Sequence, residues 1–356
     1  MKKILVLSNM YPSRKYPHYG IFVKNSVDIL NTNDYEVETI VMTKSNSKQI
    51  RYLKYLCYML KAFLTLIFRK YDYIYVHYIS ISGIPVIFAS KFKKLNIISN
   101  IHGNDLVPEN EKDERLLKNS RKLLIISEKI IVPSEYFFNE LRKFDSCFCE
   151  RAHIFPSGGV NLEEFYQTNS MKNENEDNSF KVGFVSRIEK DKGWDTFLEM
   201  MQLGDSILQN TTFFIVGSGN EEKEFNKIYK KMKMNNNVKK YSYMSHKEMN
   251  QLFNKLDVFV FPTYRKSDSL GLVGIESMAT GTIVLAADNF GPKSYIKDSV
   301  NGFLFKPQDA NEMLKKIIKI KKLSEIERRR IIDNGIITAK EYSTDTLTDK
   351  LIDLFQ

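Results

Sequence analysis

The chain reads as an α/β protein of two doubly wound parallel-sheet domains facing a cleft. Three observations carry this. Short apolar, β-rich runs alternate with stretches of helical periodicity, once before residue 166 and again after residue 180, which is the pattern of parallel strands joined by crossover helices. Between them residues 167–179 are almost wholly polar, cannot bury a core, and read as a linker between residues 1–166 and 180–339. The 356 residues are also long for a single core and comfortable for two of about 150 to 180 residues each.

In the first half, Ile4 to Leu7 reads as the opening strand; its apolar run stops at Ser8, too short for a secretory signal. A long loop to Gly20 follows, then a helix with Val23, Val27 and Leu30 on one face. Gly20 reads either as a plain helix start or as a close approach to a ligand. After a strand at Val37 to Met42, residues 50–70 form a helix within a stretch, Thr39 through Tyr71, that has no acidic residue. Leu53, Leu56, Leu60, Leu64 and Ile67 make one face, expected on the sheet. Arg51, Lys54, Tyr58 and Lys61 make the other, expected outward, as a solvated face or one lying on an anionic membrane. Asp72 to His77 is the next strand, with an apolar helix near residues 84–92. Leu95 to Ile101 then runs into His102-Gly103-Asn104-Asp105, so His102 stands at a strand's carboxyl edge, able to reach a cleft or simply to be structural. His18, His77, His153 and His246 read as structural. Strands at Lys129 to Val132 and Ala152 to Phe155 complete the half.

The second half places strands at Lys181 to Val185, Phe213 to Val216, Val238 to Tyr243, Val258 to Phe261 and Ile283 to Ala286. Beyond the first of these, Arg187 and Lys192 stand five apart around a loop; they could converge on a diphosphate or be surface charge. Beyond Phe261 comes the stretch Pro262 to Gly281. A helix starting near Leu272, behind Gly271, turns its free N–H groups and positive dipole end toward the loop, which suits a phosphate. Asp268 and Glu276 flank that end. Carboxylates so close to an anion fit best as acceptors of sugar or ribose hydroxyls.

Asp268, seven residues, then Glu276, with Gly-Leu-Val between and Met-Ala-Thr-Gly after, resembles the donor-binding motif of family 4 retaining glycosyltransferases of the GT-B fold. Arg187 with Lys192-Gly193 matches that family's Arg-x-x-x-x-Lys-Gly, and Pro156 to Phe165 resembles a further signature. The pieces follow family order from about residue 4 to about residue 340. Asp268 stands where the family usually has Glu, which leaves the sugar open.

The resemblance implies a hexosyltransferase using a nucleotide sugar, a UDP-sugar, on a glycan or lipid-linked oligosaccharide acceptor in capsule or envelope polysaccharide synthesis. Arg187, Lys192, Gly20, Gly271, Leu272 and Val273 would take the diphosphate, Glu276 the ribose, Asp268 a hexose hydroxyl, and His102 the sugar from the other domain. The tail 340–356 would rejoin the first domain. No Asp-x-Asp occurs, so neither metal nor other cofactor is expected. An epimerase of the same fold, or a degenerate transferase that binds without turnover, would leave similar motifs. The net charge of +10 favours anionic partners. Nucleic acid is not among them, because the basic residues are not interleaved with aromatic stacking platforms. Cys57, Cys147 and Cys149 lack zinc-ligand spacing and read as reduced thiols of a cytoplasmic protein, one that would be peripheral on the inner face of the membrane if the basic helix is a docking face rather than a solvated one.

Overall fold

The computed structural model describes residues 1–16, 19–156, 158–168 and 178–356. It divides into two units, Met1–Gly158 with Asp345–Gln356, and Gly159–Thr344. The first contains β1 (Lys3–Tyr11), α1 (Ile21–Thr32), β2 (Glu36–Thr43), α2 (Lys48–Phe68), β3 (Tyr73–His77), α3 (Ile79–Ala89), β4 (Ile97–Asn100), α4 (Glu111–Ile126), β5 (Lys129–Val132), α5 (Glu135–Phe144) and β6 (Ala152–Ile154). The second contains β7 (Phe180–Val185), α6 (Trp194–Gly204), β8 (Thr211–Val216), α7 (Glu222–Lys231), β9 (Asn237–Tyr241), α8 (His246–Lys255), β10 (Val258–Phe261), α9 (Leu272–Ala279), β11 (Ile283–Ala287), α10 (Phe290–Lys293), β12 (Phe303–Phe305), α11 (Ala310–Lys321) and α12 (Glu325–Glu341). The last helix, α13 (Thr344–Asp353), packs on the first unit.

Each unit holds one parallel six-stranded sheet. The strands are apolar on both faces because both are covered. Leu5 and Leu7 join Ile74, Val76 and Ile97 beneath α2, α3, α4 and α5, while Ile4 and Val6 join Tyr75, Ile98 and Ile131 beneath α1 and α13. In the second unit Val182, Val258 and Leu285 meet α6 and α11, and Phe259, Phe261 and Val284 meet α8 and α9.

Strand order places the loops. The first sheet runs β2-β1-β3-β4-β5-β6 and the second β12-β11-β10-β7-β8-β9. The winding therefore reverses between β1 and β3, and between β7 and β10. At such a reversal the two flanking loops leave in opposite directions and open a crevice beyond the strand ends, where doubly wound sheets bind ligands.

Three expectations are corrected. The first unit ends at Gly158, not 166. Residues beyond it are held by the second unit: Phe165 is buried against Phe253, and the side chains of Asn250 and Asn254 accept the backbone N–H groups of Tyr166 and Thr168. Residues 169–177 of the expected linker lie outside the described residues, and the tail rejoins the first unit from Asp345. Second, α2 is turned the other way. Tyr58, Ala62 and Leu66 face the core, whereas Leu53, Leu56, Leu60 and Leu64 are 59%, 58%, 56% and 43% exposed. Both stripes share the helical period, so periodicity alone could not choose between them; packing against β2 and α3 selects the Tyr58–Ala62–Leu66 side. Third, β12 joins the sheet beside β11, although three residues are too few to read as a strand.

Candidate active site

At the reversal point of the second sheet, the loop after β7 and the loop after β10 are tied together. Tyr264 N–H donates to the Asp191 carbonyl at 2.9 Å, and the Thr263 hydroxyl oxygen lies 3.2 Å from the same oxygen. Gly193, which starts α6 with a left-handed φ of 74°, lies so close that a Cβ there would sit 2.2 Å from the Pro262 carbonyl. The two loops therefore act as one wall. From it, Lys192 Nζ donates to both carboxylate oxygens of Asp268, at 2.6 and 2.7 Å, and the Thr263 hydroxyl donates to one of them at 2.5 Å. Lys192 is 8% exposed. Burial holds its ammonium below the usual lysine range; Asp268 opposes that shift, and the Arg187 and Arg265 charges add to it. Arg187 stands in the open, paired to Glu189 at 2.8 Å, and Arg265 reaches the same carboxylate at 3.3 Å. Arg187, Lys192 and Arg265 thus gather around the carboxylates of Glu189 and Asp268.

Helix α9 completes the wall. It begins on Gly271 at φ 79°, has no side-chain cap and no acidic residue in its first turn, and so leaves its first N–H groups, those of Leu272 and Val273, unanswered by side chains. The left-handed start is open only to glycine here, because a Cβ would lie 2.3 Å from the Phe261 ring. Glu276 follows one turn later, half-buried. Burial pushes its carboxyl up to about 7, Glu164 adding to the rise and His246, itself bonded to Glu164, working against it.

The loop edge of the first unit is lined with rings. His77, at the end of β3, is fully buried, and its Nδ1 lies 2.9 Å from His102 Nε2. His102 is packed by Phe22 at 4.4 Å and stacked by Tyr78 at 5.3 Å between centroids. Tyr78 holds a φ of 56°, rare for an aromatic residue, at the start of α3. Asp105 fixes the loop by accepting the N–H groups of His102, Gly103 and Ile79. Burial depresses the His102 pKa to about 3 and drives His77 well below its ordinary range, so both imidazoles are neutral at ordinary pH. Gly20 starts α1, the helix that brings Phe22 against His102.

Residues 166–338 match the family profile of Glycosyl transferases group 1. An uncharacterised glycosyltransferase of Methanocaldococcus jannaschii is 25% identical, over 96% of this chain and 95% of that protein. The capsular polysaccharide biosynthesis glycosyltransferase CapM of Staphylococcus aureus is 27% identical over 46% of this chain and 43% of its own length. Among solved structures, HepE of Anabaena, crystallised in complex with UDP-glucose, superposes with a TM-score of 0.77 at 16% identity, covering 99% of each chain. The chain is a glycosyltransferase with the GT-B fold.

In this glycosyltransferase, Arg187, Lys192, Asp268, Gly271, Leu272, Val273 and Glu276 all lie on the loops and helix of the β7/β10 reversal, while Gly20 and His102 belong to the loop edge of the first unit. Lys192 and Asp268, read from the sequence as separate contacts, are one ion pair. Several residues beside these edges were not singled out in the sequence. His77, read as structural, touches His102; parallel pairing of β3 with β4 sets it beside Asn100, a signal available only once the strands are paired. Arg265 lies within Pro262 to Gly281, where nothing local distinguishes it from the chain's many other basic residues. The pairing of His246 with Glu164, 82 positions apart, has no local signal, although Glu164 falls within the Pro156 to Phe165 stretch.

Proposed function

We propose that the chain moves a hexosyl group from a UDP-sugar to a glycan acceptor, with retention at the anomeric carbon, in the assembly of a capsule or envelope polysaccharide in the cytoplasm. The observation that carries this reading is the meeting of Arg187, Lys192 and the uncapped start of α9 at one strand-reversal point, with hydroxyl-accepting carboxylates beside them. As the glycosidic bond to the nucleotide breaks, negative charge grows on the departing diphosphate. Fixed cations and backbone N–H groups stabilise that charge most where water is scarce. Lys192 spends two of its three N–H donors on Asp268 and keeps one for a phosphate oxygen. Asp268 accepts three bonds and retains capacity for a sugar hydroxyl, which reconciles the pair with both roles. Glu276 would accept from the ribose, and His102, being neutral, would bond to the sugar without acting as an acid. The cations named are the charge partners this reading needs, so it calls on no metal.

UDP-sugar as donor is supported by HepE, and polysaccharide assembly by CapM. The test is a thermal-shift comparison of UDP, GDP and ADP sugars, with product analysis. UDP should raise the melting temperature of the wild type and leave Lys192→Ala unmoved. No shift with any nucleotide would refute the reading; turnover of donor to an isomerised sugar without acceptor would reassign it to epimerisation.

A further inference from the structure

We propose that the outward face of α2, with the end of α3 beside it, is a docking surface for an anionic lipid bilayer. Leu53, Leu56, Leu60 and Leu64 line one side of α2 with no charged residue among them, and all four are exposed. Across a shallow groove stand Phe88 and Phe92, 53% and 74% exposed, so the apolar strip is two helices wide. A contiguous patch of this kind marks an interaction site, unlike scattered single residues.

The border selects the occupant. From Thr39 to Asn104 the chain has ten basic residues and one acid, Asp72. That acid is engaged by the Lys3 backbone N–H at 2.6 Å. Glu38, just before this segment, is held by Arg69 and Tyr71. Lys61 within α2, Lys70 just beyond its end and Lys94 a few residues beyond α3 are exposed, and the Lys91 ammonium lies 5.3 Å from the Phe88 ring centroid. A second copy of the chain would bring two such basic borders together. A bilayer with anionic headgroups supplies apolar depth and negative rim in one surface. No helix among the described residues is long and apolar enough to cross a membrane, so α2, roughly 30 Å long by helix rise, lies on the surface.

The surface also reaches the active edge. Tyr55, near the start of α2, receives a hydrogen bond at 3.4 Å from Asn9, on the strand end at the β1/β3 reversal. A bilayer-anchored acceptor would thus present its glycan at the loop edge that carries His102; this last step rests on the transferase reading, whereas the docking does not.

The experiment is vesicle flotation of the full chain with phosphatidylcholine vesicles and with vesicles containing phosphatidylglycerol. Wild type should float with the anionic vesicles, less so in high salt, and Leu56→Ser/Leu60→Ser should bind at least about tenfold more weakly. Lys61→Gln/Lys91→Gln/Lys94→Gln should lose binding to a similar or lesser degree. Because the two leucines are outside the core, the double variant should keep its melting temperature and its UDP shift, which separates failure of docking from failure of the transferase reading. Absence of wild-type flotation, flotation unchanged in the leucine variant, or a wild-type dimer that the leucine variant dissociates would each overturn the proposal.

Discussion

In the second unit the loop edge beside the strand reversal is filled with ions: Arg187, Lys192 and Arg265 against Glu189 and Asp268. In the first unit the corresponding edge is filled with rings: His77 and His102, with Phe22 and Tyr78 around them. Both edges are built on one plan, since α1, α6 and α9 start on left-handed Gly20, Gly193 and Gly271 without a side-chain cap. By contrast α2, α4, α5, α8, α11 and α12 are capped by Ser, Asn or Asp. The plan leaves N–H groups free at both edges; the side chains decide what each edge can hold. Ions suit a diphosphate whose charge grows during reaction. Buried neutral imidazoles suit an uncharged, hydroxyl-rich sugar.

The comparison breaks first at Lys192. Lys192→Ala should lower turnover by about a thousandfold and cost about 3 to 5 kcal/mol of stability, because Asp268 is left buried without its partner. A Lys192→Met/Asp268→Leu double variant should regain much of the melting temperature and none of the turnover; recovery of turnover would make the pair purely structural. Arg187→Ala, at an exposed position, should cost about a hundredfold in turnover with little change in melting temperature. Kinetics and calorimetry on the same samples distinguish the two cases.

Glu276 gives a pH test. Its folded pKa of about 7 lies above that of a free carboxyl, so between roughly pH 4.5 and 7 the folded chain holds more protons than the unfolded one, and this group's contribution to stability falls as pH rises through that window. A nucleotide that requires the carboxylate must displace that proton. UDP affinity should therefore climb by up to about tenfold per pH unit below 7 and level off above it, and Glu276→Gln should bind weakly with no such slope, as titration calorimetry would read. The smallest effect belongs to the first unit. With His102 neutral down to about pH 3, the pH–rate profile should have no step near 6.5 from this residue, and His102→Asn should lower turnover by roughly tenfold without altering the profile's shape. A lost step near 6.5 in that variant would mean the imidazole works charged, and the contrast between the edges would fail.

Local pattern carried the strands well. Runs such as Val258–Phe261 are apolar on both faces because helices cover both, and a residue that follows such a run, as Arg187 and His102 do, sits at the ligand edge by construction. Asp268 and Glu276 were legible for the same reason, being fixed by their spacing around one helix start. What stayed hidden depends on distance in the chain. The pairing of Lys192 with Asp268, 76 residues apart, the contact of His77 with His102, and the approach of His246 to Glu164 exist only after strands and loops are set side by side. The orientation of α2 was hidden differently: two apolar stripes with one period are equivalent to any local reading, and only packing against β2 and α3 chose which to bury. The sequence by itself determined the alternation of elements, the two sheets and the positions of the edge residues, because these follow from periodicity and turn chemistry over short spans. Tertiary structure alone decided which charges neutralise one another, which imidazoles are dry, and which leucines face outward, because each is a matter of what distant segments bring within a few ångströms.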